Sequence, residues 1–406
     1  MNFPPRRTRR RDRARALLSG LCALCVLCVF CVCAARSAAQ EPSAPQAVSP
    51  AQLKAAIDKL GDLDYATRTN ASRTIRRTAT AQAVPALLQA VAEHTDGYVR
   101  YRALVLLTGF NDPRAKDAMR ESLTSPNDRL RTVGYSFFEH NPDRTMTQTF
   151  LAALDKERGE FVRPALVRAL AALGPQPVLV RDVSRGEDFF RSAVIEALGD
   201  YKAAYAFDAI TAVAKVEGPL QDDAAIALGK IGDKRALETL AALQRSAARK
   251  TQPSIAAAIC LLGVNCSSHE NYLVETLKFA SKNAGFQELL RGAAGGLGVV
   301  AVAGHEEAVE PLFDIGIPAR DDSTRAPVAL ALATIALRKT PVMLAVLEKR
   351  LDRDSALALL AEGFDMLEED LDKERFFALA RRTYWDSPQT SPRRALMQTI
   401  IGKLDF

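Results

Sequence analysis

From residue 51 onward, the chain repeats one pattern of apolar and polar positions. A helix begins near a hydrophobic residue that is followed by arginine, continues through Ala and Leu, and ends at Leu-Gly. A second apolar helix and a polar turn follow, and no stretch alternates with a period of two. A period near 30 residues with two helices per unit predicts an all-α fold, an α-solenoid (a superhelical array of helix-turn-helix repeats). The hydrophobic-Arg pairs that start the helices are Val99-Arg100, Leu130-Arg131, Val162-Arg163, Phe190-Arg191 and Leu290-Arg291.

Glycine marks the expected helix ends. It reaches the positive φ of a helix C-cap without a Cβ clash, so each Leu-Gly pair predicts a terminus. A glycine-rich stretch, residues 291–298, has no predicted strand before it and no Lys-Ser or Lys-Thr ending. Close packing between helices is therefore preferred there to a phosphate loop. The Leu-Gly pairs are Leu173-Gly174, Leu198-Gly199, Leu228-Gly229, Leu262-Gly263 and Leu297-Gly298.

Residues 220–246 form the clearest unit. The first helix has acids in its first turn, and the second places Leu237, Leu240 and Leu243 on one face. Neither helix buries that face alone, so stacking on neighbours is required.

These residues resemble the HEAT-repeat superfamily, specifically the short bacterial repeats of phycobilisome-lyase-like (PBS-lyase-like) proteins. The resemblance spans roughly residues 60–350. It implies a curved scaffold that binds partners and implies no reaction by itself. We expect the repeat array at residues 51–350 and a C-terminal helical cap at residues 351–406.

The N-terminus has the features of a targeting segment. Residues 6–15 are basic, residues 17–35 are apolar and uncharged, and Ser37-Ala38-Ala39 offers small residues for cleavage after Ala39. Residues 1–39 are thus predicted to be a signal peptide, and an uncleaved anchor is the alternative because the apolar run can span a bilayer. In both cases the body is expected to be exported, periplasmic or secreted, and an uncleaved segment anchors it in the inner membrane through residues 17–35. Residues 40–50 contain three prolines and form the predicted flexible linker.

The net charge of +6 is confined to this segment. Residues 1–39 carry +7, and the rest of the chain carries −1. The body therefore lacks the basic excess that a nucleic-acid partner requires. Contact with a membrane is expected only if the N-terminal segment stays uncleaved.

Two His-Glu pairs, His269-Glu270 and His305-Glu306, are separated by 36 residues, about one repeat. A HEAT-repeat enzyme, deoxyhypusine hydroxylase, resembles this chain in fold and holds two irons with four such pairs, which implies metal binding at the two pairs here. The sequence departs from that pattern, since only two pairs exist. A glutamate that complements a helix N-terminus explains both pairs more simply. We therefore predict no catalytic residue, cofactor or metal, and keep the metal site as the alternative.

Cys260 and Cys266 are the only cysteines after the signal segment, and they straddle a predicted helix end. In an exported protein this spacing predicts a disulfide, worth about 2 kcal/mol because the loop is short. Two unpaired buried thiols are the alternative. An acidic run, residues 365–374, lacks the pattern of a calcium loop and is predicted to be a solvated helix face.

The sequence favours an exported, non-enzymatic protein-protein interaction scaffold with no cofactor. Its protein partner is not identified by the repeats, because the pattern marks core positions and not the face that binds. The alternatives are a metal-dependent enzyme on the same scaffold and a periplasmic component of a membrane-anchored envelope complex.

Overall fold

A computed structural model describes residues 47–367 and 369–404. The predicted signal segment, residues 1–39, and most of the predicted linker lie outside these residues. The described part contains 22 α-helices and no strand, so the predicted all-α solenoid is confirmed. The helices in chain order are α1 Pro50–Asp58, α2 Tyr65–Arg77, α3 Thr80–Glu93, α4 Gly97–Leu107, α5 Ala115–Ser122, α6 Asp128–His140, α7 Thr147–Leu154, α8 Val162–Ala172, α9 Pro177–Asp182, α10 Asp188–Asp200, α11 Phe207–Ala214, α12 Gln221–Ile231, α13 Ala236–Ser246, α14 Gln252–Leu261, α15 Cys266–Lys282, α16 Gln287–Ala303, α17 Glu310–Gly316, α18 Asp322–Arg338, α19 Thr340–Lys349, α20 Arg353–Met366, α21 Asp370–Asp386 and α22 Pro392–Leu404.

The helices from α4 to α20 form two layers. The even-numbered helices α4 to α20 pack side by side in chain order and are called the first layer. The odd-numbered helices α3 to α19 form the second layer. Each one from α3 to α17 packs against the first-layer helix that follows it, whereas α19 packs against α18, which precedes it. This alternation buries the apolar face that no single helix can bury alone.

Small residues allow the first-layer helices to approach closely. A Cβ added to Gly199 would lie 2.8 Å from the Ala227 Cα, and one added to Gly229 would lie 2.6 Å from the Ala258 Cα. Both glycines are inside helices, so the prediction that they cap helix ends was wrong. Their physical role is to make room for the next helix. The C-cap prediction is confirmed at Gly174 and Gly263, which have φ of 107° and 72°.

In two of the repeats, the arginine of the motif binds the end of the preceding second-layer helix. Arg100 Nε donates to the Val91 carbonyl at 2.7 Å, and Arg191 Nε donates to the Val183 carbonyl at 3.0 Å. The last carbonyls of a helix have no partner within that helix. The motif therefore supplies a side-chain cap that joins the two helices of one unit.

Two hydrophobic clusters form the core. One extends from Leu53 to Leu262 and also contains Leu371, and the other extends from Ala256 to Leu404. Helix α21 contributes Leu371 to the first cluster and Phe376 to the second. It therefore joins the two cores.

The predicted anchor, residues 17–35, lies outside the described residues. Within them, no single helix is both long and apolar enough to cross a bilayer. The pair α18 and α19, bent by 116°, reaches that length and apolar character only when the two helices are taken together.

Candidate functional sites

Helix α21 packs against α4, α6 and α18 of the first layer and against the 3-10 turn Thr108–Phe110. It carries the second half of the acidic run that was predicted to be a solvated face. Asp372 and Glu374 are 7% and 1% exposed, so that prediction was wrong for both. Distant cations compensate their burial, and the sequence of the run alone gives no sign of those partners.

Glu374 is held by two arginines. Arg76 on α2 donates to its Oε2 through Nη2 at 2.7 Å and Nε at 2.9 Å, and Arg381 Nη2 donates to its Oε1 at 2.8 Å. Burial raises the pKa of Glu374, but the two guanidinium groups together lower it below its ordinary value. Gly109 makes this approach possible, because a Cβ there would lie 2.5 Å from Glu374 Oε1.

Asp372 joins three elements. Its Oδ1 lies 2.8 Å from His140 Nε2 on α6 and 2.8 Å from Arg375 Nη1, and its Oδ2 lies 3.7 Å from Arg338 Nη1 on α18. Burial raises the pKa of Asp372, but His140, Arg338 and Arg375 together outweigh this effect and lower the pKa to about 2. The carboxylate is therefore ionised at neutral pH.

Asp370, at the start of α21, also pairs with an arginine of another helix. Its Oδ2 accepts from Arg102 Nη1 at 2.6 Å and from the Tyr101 hydroxyl. Asp370, Asp372 and Glu374 each face arginines of the array, which identifies these contacts as a structural attachment of α21. Two cavities, of about 560 Å³ and about 200 Å³, flank the helix.

The structure brings together part of the predicted metal set. Ligand atoms of Glu270, His305 and Glu307 lie within 4.8 Å of one another. Among the described residues, His269 and Glu306 belong to no such group of three, and Glu306 Oε2 instead lies 3.4 Å from Lys349 Nζ. Glu307, which the sequence reasoning missed, replaces Glu306 because it is the carboxylate that lies 3.2 Å from His305 Nδ1.

The two carboxylates of this group repel each other. Burial and the neighbouring Glu307 raise the pKa of Glu270, whereas His305 lowers it. The pKa of His269 is lowered by burial alone. Among the described residues, the group of Glu270, His305 and Glu307 contains one imidazole, whereas the resemblance implied two.

Cys260 and Cys266 lie beside the same imidazole. Their sulfurs lie at the distance of a disulfide bond. Cys266 Sγ lies 3.9 Å from both ring nitrogens of His305. The sequence offered no link between this cysteine pair and His305, which is 39 residues from Cys266.

Large apolar side chains are exposed where three successive first-layer helices begin. Phe161 precedes α8 and is 70% exposed, Phe189 lies in the first turn of α10 at 52%, and Val216 precedes α12 at 64%. The helices α8, α10 and α12 pack side by side, so the three residues lie at or before the starts of neighbouring helices. We call Phe161, Phe189 and Val216 the apolar row.

Comparison with known proteins matches two segments to repeat families. Residues 53–136 match HEAT repeats, and residues 220–246 match the PBS lyase HEAT-like repeat. No curated protein matches the chain.

Several solved structures are similar over most of the chain. Importin beta has 15% identity over 85% of this chain and 54% of its own, with a TM-score of 0.39. The complex of CpcE and CpcF of phycocyanin lyase from Nostoc sp. has 18% identity over 80% of this chain and 97% of its own, with a TM-score of 0.25. Kap121p bound to RanGTP has 14% identity over 87% and 48%, with a TM-score of 0.36. The chain spans about half the length of importin beta and of Kap121p. The described chain is an all-α solenoid, and its residues 53–136 and 220–246 match HEAT-type repeats.

Proposed function

We propose that this protein is an exported, non-enzymatic scaffold that binds a protein partner through the apolar row. The observation that carries the proposal is the exposure of Phe161, Phe189 and Val216 in three successive repeats. Single exposed apolar residues are ordinary, but exposed apolar residues that recur in successive repeats favour an interaction site.

Polar residues surround the row in a repeated way. Each apolar residue has an exposed acid beside it in sequence, and an exposed cation lies one to four positions before it. An apolar centre with a charged rim is the composition of protein interfaces. The expected partner surface is therefore apolar at its centre and polar around it. The flanking acids are Glu160, Asp188 and Glu217, and the cations are Arg158, Arg185 and Lys215.

Capture from an envelope extract tests the proposal. The immobilised protein is compared with a Phe161→Ser/Phe189→Ser double variant and with Tyr272→Ser, a control whose side chain is 40% exposed on α15. We expect one protein to bind the wild type and the control and to be reduced at least tenfold by the double variant. Equal capture by all three proteins would contradict the assignment of the surface.

Export rests on the N-terminal sequence. N-terminal sequencing of the mature protein is expected to begin at Gln40, after cleavage at Ala39. A protein that retains residues 1–39 and remains in the membrane fraction would instead support the envelope-complex alternative.

The metal-dependent enzyme remains the alternative from another class, and Glu270, His305 and Glu307 are the observation that favours it. Metal analysis of the purified protein decides between the two. Stoichiometric iron or manganese that is lost in His305→Ala would support an enzyme, and absence of both metals supports the scaffold.

A further inference from the structure

We propose that Cys260, Cys266 and His305 form a zinc site in the reduced protein, and that the same two sulfurs form a disulfide in the oxidised protein. The two states exclude each other, so the site is sensitive to redox conditions. This inference concerns a site outside the apolar row and is independent of the proposed scaffold function.

The three donors converge from three segments. Cys260 lies in the last turn of α14, Cys266 begins α15, and His305 precedes the 3-10 turn Glu306–Ala308. One ligand atom from each lies within 4.8 Å of the other two. In a tetrahedral zinc site with ordinary bond lengths, neighbouring donor atoms are about 3.5 Å apart. A small side-chain adjustment therefore suffices.

Nearby carboxylates complete the arrangement. Glu307 Oε1 lies 3.2 Å from His305 Nδ1, so it can accept that N–H and leave Nε2 directed to the ion, as second-shell carboxylates do. A carboxylate oxygen of Glu270 also lies within 4.8 Å of a ring nitrogen of His305, and solvent takes the fourth position of the ion. Thiolate and imidazole donors favour zinc over magnesium or calcium.

Burial suits both states. Cys260 is 1% exposed, whereas Cys266 and His305 are half-buried, so the site is anchored on one side and open to solvent on the other. The core holds the Cys260 sulfur in place, and the solvent-exposed side of the site admits an ion or a reductant.

The chemical steps balance with a dithiol as reductant. One thiolate of the dithiol attacks the protein disulfide, its second thiol resolves the mixed disulfide, and the dithiol leaves as its own disulfide. The protein gains two electrons and two protons as Cys260 and Cys266 thiols. Zinc binding then releases those two protons to solvent, because thiolates are the ligands. The sulfurs of the intact disulfide are not thiolates, so they do not bind the zinc ion.

Zinc and cobalt binding to the purified mature protein, which begins at Gln40 and contains no cysteine besides Cys260 and Cys266, test the proposal. Anaerobic protein is reduced with dithiothreitol, desalted, and titrated with Zn²⁺ against a chromogenic chelator, and oxidised protein is treated in parallel. We expect one zinc per chain in the reduced protein and less than a tenth of that in the oxidised protein. With Co²⁺, the reduced protein is expected to show thiolate-to-cobalt charge-transfer absorption and the visible bands of tetrahedral cobalt.

Two histidine variants form a matched pair. His305→Ala is expected to weaken zinc binding at least tenfold. His269→Ala removes an imidazole of α15 that lies outside the cluster, and it is expected to change zinc binding less than twofold. Cys266→Ser, at a half-buried position, is expected to abolish the charge-transfer absorption while circular dichroism shows an unchanged helix content. Equal binding by oxidised and reduced protein, no binding by the reduced protein, or equal losses in the two histidine variants would overturn the proposal.

Discussion

Arg76 and Glu374, which are 298 positions apart, form an ion pair in which the side chains are 6% and 1% exposed. The pair ties α21 to α2, while Asp370 and Asp372 tie the same helix to α4, α6 and α18. A helix near the end of the chain is thus attached to the first described repeats by charge as well as by apolar packing.

Removing one member of this pair leaves a charge without its main partner. Arg76→Ala is expected to lower the free energy of unfolding by about 3 kcal/mol, because Glu374 stays buried with only Arg381. Urea denaturation followed by circular dichroism measures the loss. Lys54→Ala is the control, since Lys54 and Asp58 form an exposed pair worth less than about 0.5 kcal/mol. Similar losses in both variants would contradict this role of Arg76.

Gly109 provides the space for the Glu374 carboxylate. Gly109→Ala is expected to destabilise the protein by about 1–3 kcal/mol, since the new Cβ would lie 2.5 Å from Glu374 Oε1. Gly295→Ala in α16 is the control, because that Cβ meets nothing within 4 Å, and it is expected to stabilise by about 0.5–1 kcal/mol. A double-mutant cycle of Gly109→Ala with Glu374→Ala measures the coupling by urea denaturation, and strict additivity would show that the two positions do not interact.

Asp372 makes stability depend on acid pH. Its pKa in the folded protein is about 2, below the ordinary value of 3.8. Ionised Asp372 therefore contributes its full stabilisation at pH values above about 4. This contribution of about 2 kcal/mol is lost as the pH falls from about 4 to about 2. Asp372→Asn is therefore expected to be less stable than the wild type at neutral pH, with the difference closing towards pH 2. Urea denaturation at a series of pH values checks this, and a difference that does not change with pH would refute it.

The arginine cap predicts a local effect at the end of a second-layer helix. Arg191→Ala leaves the carbonyl of buried Val183 without its side-chain donor, and it is expected to cost about 1–2 kcal/mol. Hydrogen exchange should increase first in α9 and α10. Arg185 is exposed in the segment between α9 and α10. The free energy of unfolding of Arg185→Ala should stay within about 0.5 kcal/mol of the wild-type value. Equal exchange in the two variants would contradict a capping role for Arg191.

The repeat architecture could be predicted from the sequence because its signals are local. A hydrophobic-Arg pair and a Leu-Gly pair recur within each unit, and the contacts they make lie in the same or the next unit, as Arg191 with Val183 and Gly199 with Ala227 illustrate. The role of Gly199 was nevertheless misjudged, because a glycine that caps a helix and one that admits a neighbouring helix look alike in sequence.

The attachment of α21 could not be predicted in this way. The residues around Glu374 have the composition of a solvated helix face, and the arginine that compensates its burial is 298 positions away. The same reasoning applies to Cys266 and His305. Each carried a prediction of its own, but only the folded chain places them 3.9 Å apart.

Photo-crosslinking from the apolar row tests the scaffold proposal most directly. A photoreactive phenylalanine analogue is placed separately at Phe161, Phe189 and the control position Tyr272 in the protein, and each protein is irradiated in envelope extract. The proposal predicts that positions 161 and 189 crosslink to the same single protein, that excess unlabelled wild-type protein abolishes the product, and that position 272 gives none. No specific product at position 161, or an equal product at position 272, would contradict it.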